Sequence, residues 1–240
     1  MHGKSDRSGT RARYLRAIWS LTENSDAPVT VTGLARALRF VPGSVSEQVN
    51  RLVDDGLIDH ERYKCISLTP SGRLEAMRAL RANRILRCFL NDVLELPWSE
   101  LVTNAEALEA SSSPRFLQRI EASLGQPSLD PFGQPIPARD GRIETPADTP
   151  LRALVRSPWT PVRITRIADA PLETLAFLDG RNLRPGAQMQ IRGRATEPDT
   201  VEVRMAGWHG TLLSAGVGVL YGSLHDGAEE LSHQLSAMDT

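Results

Sequence analysis

Cysteine is nearly absent: the 240 residues hold two, Cys65 and Cys88. Two thiols cannot build a disulfide framework, and such sparse usage fits a reducing compartment. No apolar run approaches the roughly 18 residues that a membrane-spanning helix needs. The N-terminal MHGKSDRSG lacks the apolar core of a secretory signal. These absences predict a soluble, cytoplasmic chain with no membrane partner. Also missing are a nucleophile elbow, a glycine-rich phosphate loop and a histidine–carboxylate cluster, so nothing points to an enzyme. Net charge is almost absent too, at −1, but it is unevenly spread. Residues 1–90 carry 15 Lys and Arg against 9 Asp and Glu, while the rest of the chain carries 13 against 20. A basic front and an acidic rear predict that only the front meets a polyanion.

What is present concentrates in residues 32–56, TGLARALRFVPGSVSEQVNRLVDDG. Thr32 is placed to cap a short helix with Leu34, Ala35 and Leu38 on its apolar face. The run Arg39-Phe40-Val41-Pro42-Gly43 breaks it. Ser44 then opens a second helix, with Val45, Val49, Leu52 and Val53 inward and Gly56 closing it. Its outer face carries Ser44, Ser46, Glu47, Gln48, Asn50 and Arg51, short polar groups suited to base edges and phosphates. Two short helices across a tight turn predict a helix-turn-helix in which this second helix reads duplex DNA, with Arg39, Pro42 and Gly43 at its entry. Residues 57–69, LIDHERYKCISLT, split into two short β-like runs about a polar turn. This is the wing of a winged helix, and Arg62 and Lys64 at its tip are placed to meet phosphates.

The rest of the chain supports a fold that is mainly α with a small β part. Residues 10–24 form a first helix with Tyr14, Ala17, Ile18 and Leu21 on one face, and Val29-Thr30-Val31 can add a strand beside the wing. A long helix runs from Thr69 to about Leu94. Its apolar repeat exceeds what one small domain needs, which predicts a homodimer suited to a palindromic operator. Helices over 99–110 and 114–124 complete a helical middle. Proline then recurs through 125–161, the composition of a linker, with a short helix at 150–155. VRITRIA, AQMQIRG, TVEVRMA and GVGVLYG read as short strands of an SH3-like β-barrel, with a helix near 172–178. The expected division is a winged helix-turn-helix over 1–69, a helical dimerisation domain over 70–125, a linker over 126–161, the barrel over 162–226 and a tail over 227–240. Cys88 in the long helix reads as core.

These pieces resemble the iron- and manganese-dependent repressors, the family typified by the diphtheria toxin repressor. The resemblance rests on YLRAIWSL, LARALRFVPGSVSEQVNRLVDDGLI, LTPSGR, FLNDVLELP, DPFGQPIP at 130–137 and LRPGAQMQIRG. It implies a dimeric, DNA-binding transcriptional repressor whose cofactor is Mn or Fe, held between the first helix and the helical middle. At the ligand positions this sequence departs. The first-helix positions fall on Arg13 and Arg16, and the long-helix ones on Asn83 and Arg87. Glu106 and Glu109 match the manganese-type carboxylate pair, but the family's histidines fall on Ala110 and Val102. The barrel positions fall on Pro171 and Thr174. No histidine lies between 61 and 208. One expectation is that Arg13 or Arg16 faces Glu106 and Glu109 and replaces metal charge with guanidinium charge. Two others stay open: a regulator sensing a different ligand, and an interaction protein that keeps the fold without reading DNA.

Overall fold

The apolar spacing of the front half folds into the helices it predicts, with shifted ends. The computed structural model describes residues 2–23, 27–60, 65–156, 159–194 and 197–225, so Arg62, Lys64 and the tail over 227–240 lie outside the described residues. The chain divides into two units, one of Met1–Glu95, Leu101–Asp130 and Pro135–Glu144, the other of Leu96–Glu100, Pro131–Gln134 and Thr145–Thr240.

The first unit begins with α1, His2–Glu23, longer at its start than the periodicity of residues 10–24 indicates. Next come α2, Val31–Leu38, and α3, Pro42–Asp54. Thr30, not Thr32, caps α2, because its backbone is extended and its hydroxyl accepts from Gly33 N at 3.0 Å. Such a cap contributes about 1 kcal/mol. Helix therefore starts where a strand was expected, and Val29 keeps one sheet-like bond, accepting from Ile66 N at 2.8 Å. Pro42 and Gly43 likewise belong to α3 instead of the turn. Proline fits the first turn because its missing N–H would have had no partner there. The turn is made instead by Arg39, at φ 57° and ψ 40°.

The wing strands β1, Ile58–Asp59, and β2, Ser67–Leu68, pair antiparallel. Thr69 caps the long helix α4, Pro70–Asp92, accepting from Gly72 N at 3.0 Å. Gly72 has to be glycine: a Cβ there would lie 1.7 Å from the Leu57 carbonyl oxygen. That close approach seats α4 on the winged helix. One core joins Leu15 and Ile18 of α1, Leu34, Val45, Val49, Leu52 and Ile58 to Ala76, Met77 and Leu80 of α4. Helices α5, Trp98–Ser111, and α6, Pro114–Ser123, follow. The apolar surplus of α4 is spent within the chain, since Ile85, Leu86, Cys88 and Leu90 are all buried. Three arginines spaced by three also leave α4. Arg81 reaches Glu121 (2.6 Å) and the Pro137 carbonyl, Arg84 the Pro135 carbonyl, and Arg87 Asp130 (3.2 Å). The proline-rich segment is thus held down in its first half.

The second unit contains β3, Thr149–Pro150, α7, Leu151–Leu154, β4, Thr160–Ile167, α8, Leu172–Asp179, β5, Gln188–Arg194, and β6, Glu197–Met205. It ends in β7, Trp208–Leu212, α9, Ser214–Val217, and β8, Leu220–Leu224. All strands pair antiparallel in the order β3-β8-β4-β5-β6-β7. Val162, Ile164, Met189, Ile191, Val203 and Leu212 fill its core. Gly133 enters this unit at φ 73°, where a Cβ would stand 2.2 Å from the Thr165 carbonyl oxygen. The guanidiniums of Arg192 and Arg204 both stand over the Trp159 ring, 4.6 and 4.4 Å from its centre.

Candidate nucleic-acid interface and charge cluster

Burial of Val45, Val49 and Leu52 turns the opposite face of α3 outward. Pro42, Gly43, Ser44, Ser46, Glu47, Asn50 and Arg51 are exposed there, with Arg39 at the turn, and Gln48 is half-buried. Arg51 pairs with Glu47 one turn earlier. The face therefore offers hydroxyls, amides, one carboxylate and one guanidinium, enough to donate to and accept from base edges in a major groove. Phe40 and Val41, just before α3, are large apolar side chains left 42% and 68% exposed. Sequence patterning passed over both, although an aromatic beside Pro-Gly in a turn is a signal in itself.

The second cluster is built where α1 passes α5. Helical spacing of three puts Arg13 and Arg16 on one side of α1, and Glu106 and Glu109 on one side of α5. Arg16 Nη2 donates to Glu106 Oε1 at 3.3 Å, and its Nη1 lies 3.2 Å from Glu109 Oε2. Arg13 Nε lies 3.8 Å from Glu106 Oε2. From α4, Asn83 Nδ2 donates to Glu109 Oε2 at 3.1 Å. The Arg16 and Glu109 side chains are only 10% and 9% exposed, while Glu106 is 34% exposed. Burial pushes the Glu109 carboxyl above the ordinary carboxylate range. Arg16 and the Asn83 hydrogen bond pull it down without cancelling that, and Glu106 adds to the rise. Small residues let the helices meet: a Cβ on Gly9 would stand 3.0 Å from the Ala110 Cβ. Arg87 is drawn instead to Asp130, whose side chain is fully buried.

Residues 9–66 match the family model "Iron dependent repressor, N-terminal DNA binding domain", and residues 69–138 match "Iron dependent repressor, metal binding and dimerisation domain". The iron-dependent repressor IdeR of Mycobacterium tuberculosis is 31% identical over 182 residues, 67% of this chain and 79% of that protein. The chain belongs to the iron-dependent repressor family. The diphtheria toxin repressor of Corynebacterium diphtheriae is 30% identical over 193 residues, 77% of this chain and 85% of that protein. A solved manganese-dependent transcriptional repressor, in complex with manganese, superposes with a TM-score of 0.80 at 29% identity, covering 90% of this chain and 100% of that one. This is a DNA-binding transcriptional regulator with the family's fold, a mainly helical front and a C-terminal sheet region. No helix among the described residues is long and apolar enough to cross a membrane.

The family is iron- or manganese-dependent, and the residues of this chain do not fit such an ion. A first-row divalent ion takes imidazole and carboxylate donors, whereas a guanidinium offers only N–H donors and cannot ligate a cation. Arg16 already places positive charge between the two carboxylates that match the family pattern. Asn83 turns its NH₂ towards Glu109, and Ala110 offers no donor atom. Among the described residues no three His, Cys, Asp or Glu side chains come together as a cation site.

Proposed function

We propose that this chain binds duplex operator DNA as a homodimeric repressor, with α3 in the major groove, and that it does so without iron or manganese. The contact that carries the reading is Arg16, one guanidinium against both Glu106 and Glu109. In it a side-chain cation ties α1 to α5, where the family uses a metal. Guanidinium–carboxylate pairs are planar and directional, so the pair fixes a separation as well as neutralising charge. The residues proposed to face DNA are Arg39, Pro42, Gly43, Ser44, Ser46, Glu47, Gln48, Asn50 and Arg51, with Arg62 and Lys64 of the wing. Polar groups on α3 read bases, and the wing cations meet phosphates.

The dimer face proposed is the exposed apolar set Val93, Leu94, Phe116 and Leu129, 48–53% exposed. All four lie within the segment matched by the dimerisation family model. Chelator-treated protein, titrated into duplex DNA from its own upstream region with and without Mn²⁺ or Fe²⁺, tests the reading. Equal affinity in both arms is the expected result. Binding that appears only with the metal overturns metal independence, and absence of binding in both arms overturns the operator.

A further inference from the structure

Arg13 stands beside the cluster and does something Arg16 does not. Its Nη2 donates to the Leu38 carbonyl at 3.4 Å, at the end of α2. Its guanidinium carbon lies 4.8 Å over the Phe40 ring, and Glu106 holds its Nε side at 3.8 Å. The Phe40 ring is stacked in turn on Tyr14, with centroids 6.3 Å apart and planes 28° from parallel. Leu38 to Val41 is the turn that closes α2 and launches α3. Arg39 holds its left-handed bend, and Val41 is the residue before the first turn of α3, with no side-chain cap of its own. A carbonyl at a helix C-terminus lacks an intrahelical partner, and an arginine there supplies one. Phe40 is kept by Arg13 and Tyr14 while staying 42% exposed, so the core alone does not explain its position.

We infer that Arg13 is a positioning residue for sequence reading: it ties Glu106 of α5 to the Leu38–Val41 turn and so sets the entry of α3, without itself contacting DNA. This rests on the reading that α3 faces the bases. Residues at the start of a recognition helix carry much of the base contact. A small rotation of that start therefore costs discrimination between sequences more than attachment to phosphates.

The test uses the full chain and a duplex selected by it from a random pool, with a scrambled duplex as control. Wild-type binding to the selected duplex is established first, with and without Mn²⁺, so failure of the metal-independence reading shows before any variant is made. Arg13→Lys keeps the charge but loses the planar fork, and Phe40→Leu changes no charge. Each is expected to weaken the selected duplex about tenfold, the size of one lost charge-assisted hydrogen bond for Arg13→Lys and of one lost cation–π contact for Phe40→Leu. Affinity for the scrambled duplex and the salt slope should hold. The double variant should be little worse than either single one, as expected for groups acting through one contact. An unchanged ratio of selected to scrambled affinity, with the far-UV circular dichroism preserved, overturns the inference. So does a salt slope reduced by about one for Arg13→Gln, a third variant that removes the charge and so reveals a direct phosphate contact. Additive losses in the double variant overturn it as well, since they mean that Phe40 touches DNA independently.

Discussion

Arg16→Met removes the cation between Glu106 and Glu109 while keeping an unbranched, helix-compatible side chain. Breaking a buried pair by deleting one partner costs about 3–5 kcal/mol, because the other charge is left buried. Here the figure must be reduced, since Glu106 is 34% exposed and is screened by solvent. The penalty then falls mainly on Glu109, 9% exposed with Asn83 as its remaining donor, and about 2–3 kcal/mol is expected at about pH 8. The pH dependence follows from the direction of the Glu109 shift. Its folded-state pKa already lies above the unfolded value, so the folded state holds the proton more tightly. Stability from this group is therefore lost as pH rises from the ordinary carboxylate range through the raised value. Arg16 is what pulls that value down, so its removal raises it further and deepens the loss. Near pH 4 Glu109 is largely protonated in both proteins, and the difference shrinks to that of a packing change. Urea unfolding of parent and variant between about pH 4 and pH 8 measures it. A stability difference that is constant across this range, or below about 1 kcal/mol at the alkaline end, refutes the reasoning.

Glu47→Ala frees Arg51 from an exposed pair, so stability should change by less than about 1 kcal/mol. Affinity for scrambled duplex should rise and its salt slope steepen by about one, read by titration at several salt concentrations. Gly9→Leu forces bulk into the place where a Cβ already stands 3.0 Å from Ala110. It should cost about 1–3 kcal/mol in urea unfolding and lower operator affinity, whereas Ala110→Gly should leave that affinity unchanged. Phe116→Asp puts a charge on the proposed dimer face and should shift the chain to monomer in sedimentation at micromolar concentration, with helix content unchanged by circular dichroism. Burial pushes the Cys88 thiol up to about 12, and Cys65 is exposed. Iodoacetamide should therefore label one thiol in the native protein and two in urea, counted by mass spectrometry.

The winged helix was legible because burial and pattern coincide there. Val45, Val49 and Leu52 recur at helical spacing, and Pro42 with Gly43 marks the break between α2 and α3 even though both fall in the first turn of α3. Boundaries were less legible, because two threonines compete for the cap and the hydroxyl geometry at Thr30 decides. The surplus of apolar residues in α4 was legible, but its destination was not. Periodicity shows that a face is buried and not by what, and Arg84 and Arg87 are buried on hydrogen bonds to residues some 40–50 positions later. In the sheet, β7 went unseen because TVEVRMA and WHGTL are joined by a two-residue turn, with Gly207 at φ 79°. GVGVLYG begins with the helical turn α9 and only ends as strand. His209 and His225 lie on β7 and just after β8, which are not adjacent in the sheet. The charge cluster was legible only through the family resemblance, whose ligand positions fall on Arg13, Arg16, Glu106 and Glu109. Asn83 as the third partner and Phe40 as the stop for Arg13 were not, since both depend on how helices cross.

A metal ion and a guanidinium can hold two helices at a similar separation, but they respond to the cell differently. A bound ion stabilises the helix arrangement by an amount that grows with the logarithm of its free concentration, so occupancy becomes a signal. Arg16 is part of the chain and has no free concentration, so the arrangement it holds is present whenever the chain is folded. Its pairing is also not chiefly a source of stability. The raised Glu109 pKa shows that burial outweighs the attraction of the guanidinium, and a buried pair of this kind fixes geometry at some cost in free energy. In a regulator built this way, operator occupancy follows the concentration of the chain and its dimer equilibrium. Control then enters through how much protein is made, or through the link from the cluster to the turn before the reading helix, where Arg13 meets Glu106 on one side and Leu38 and Phe40 on the other.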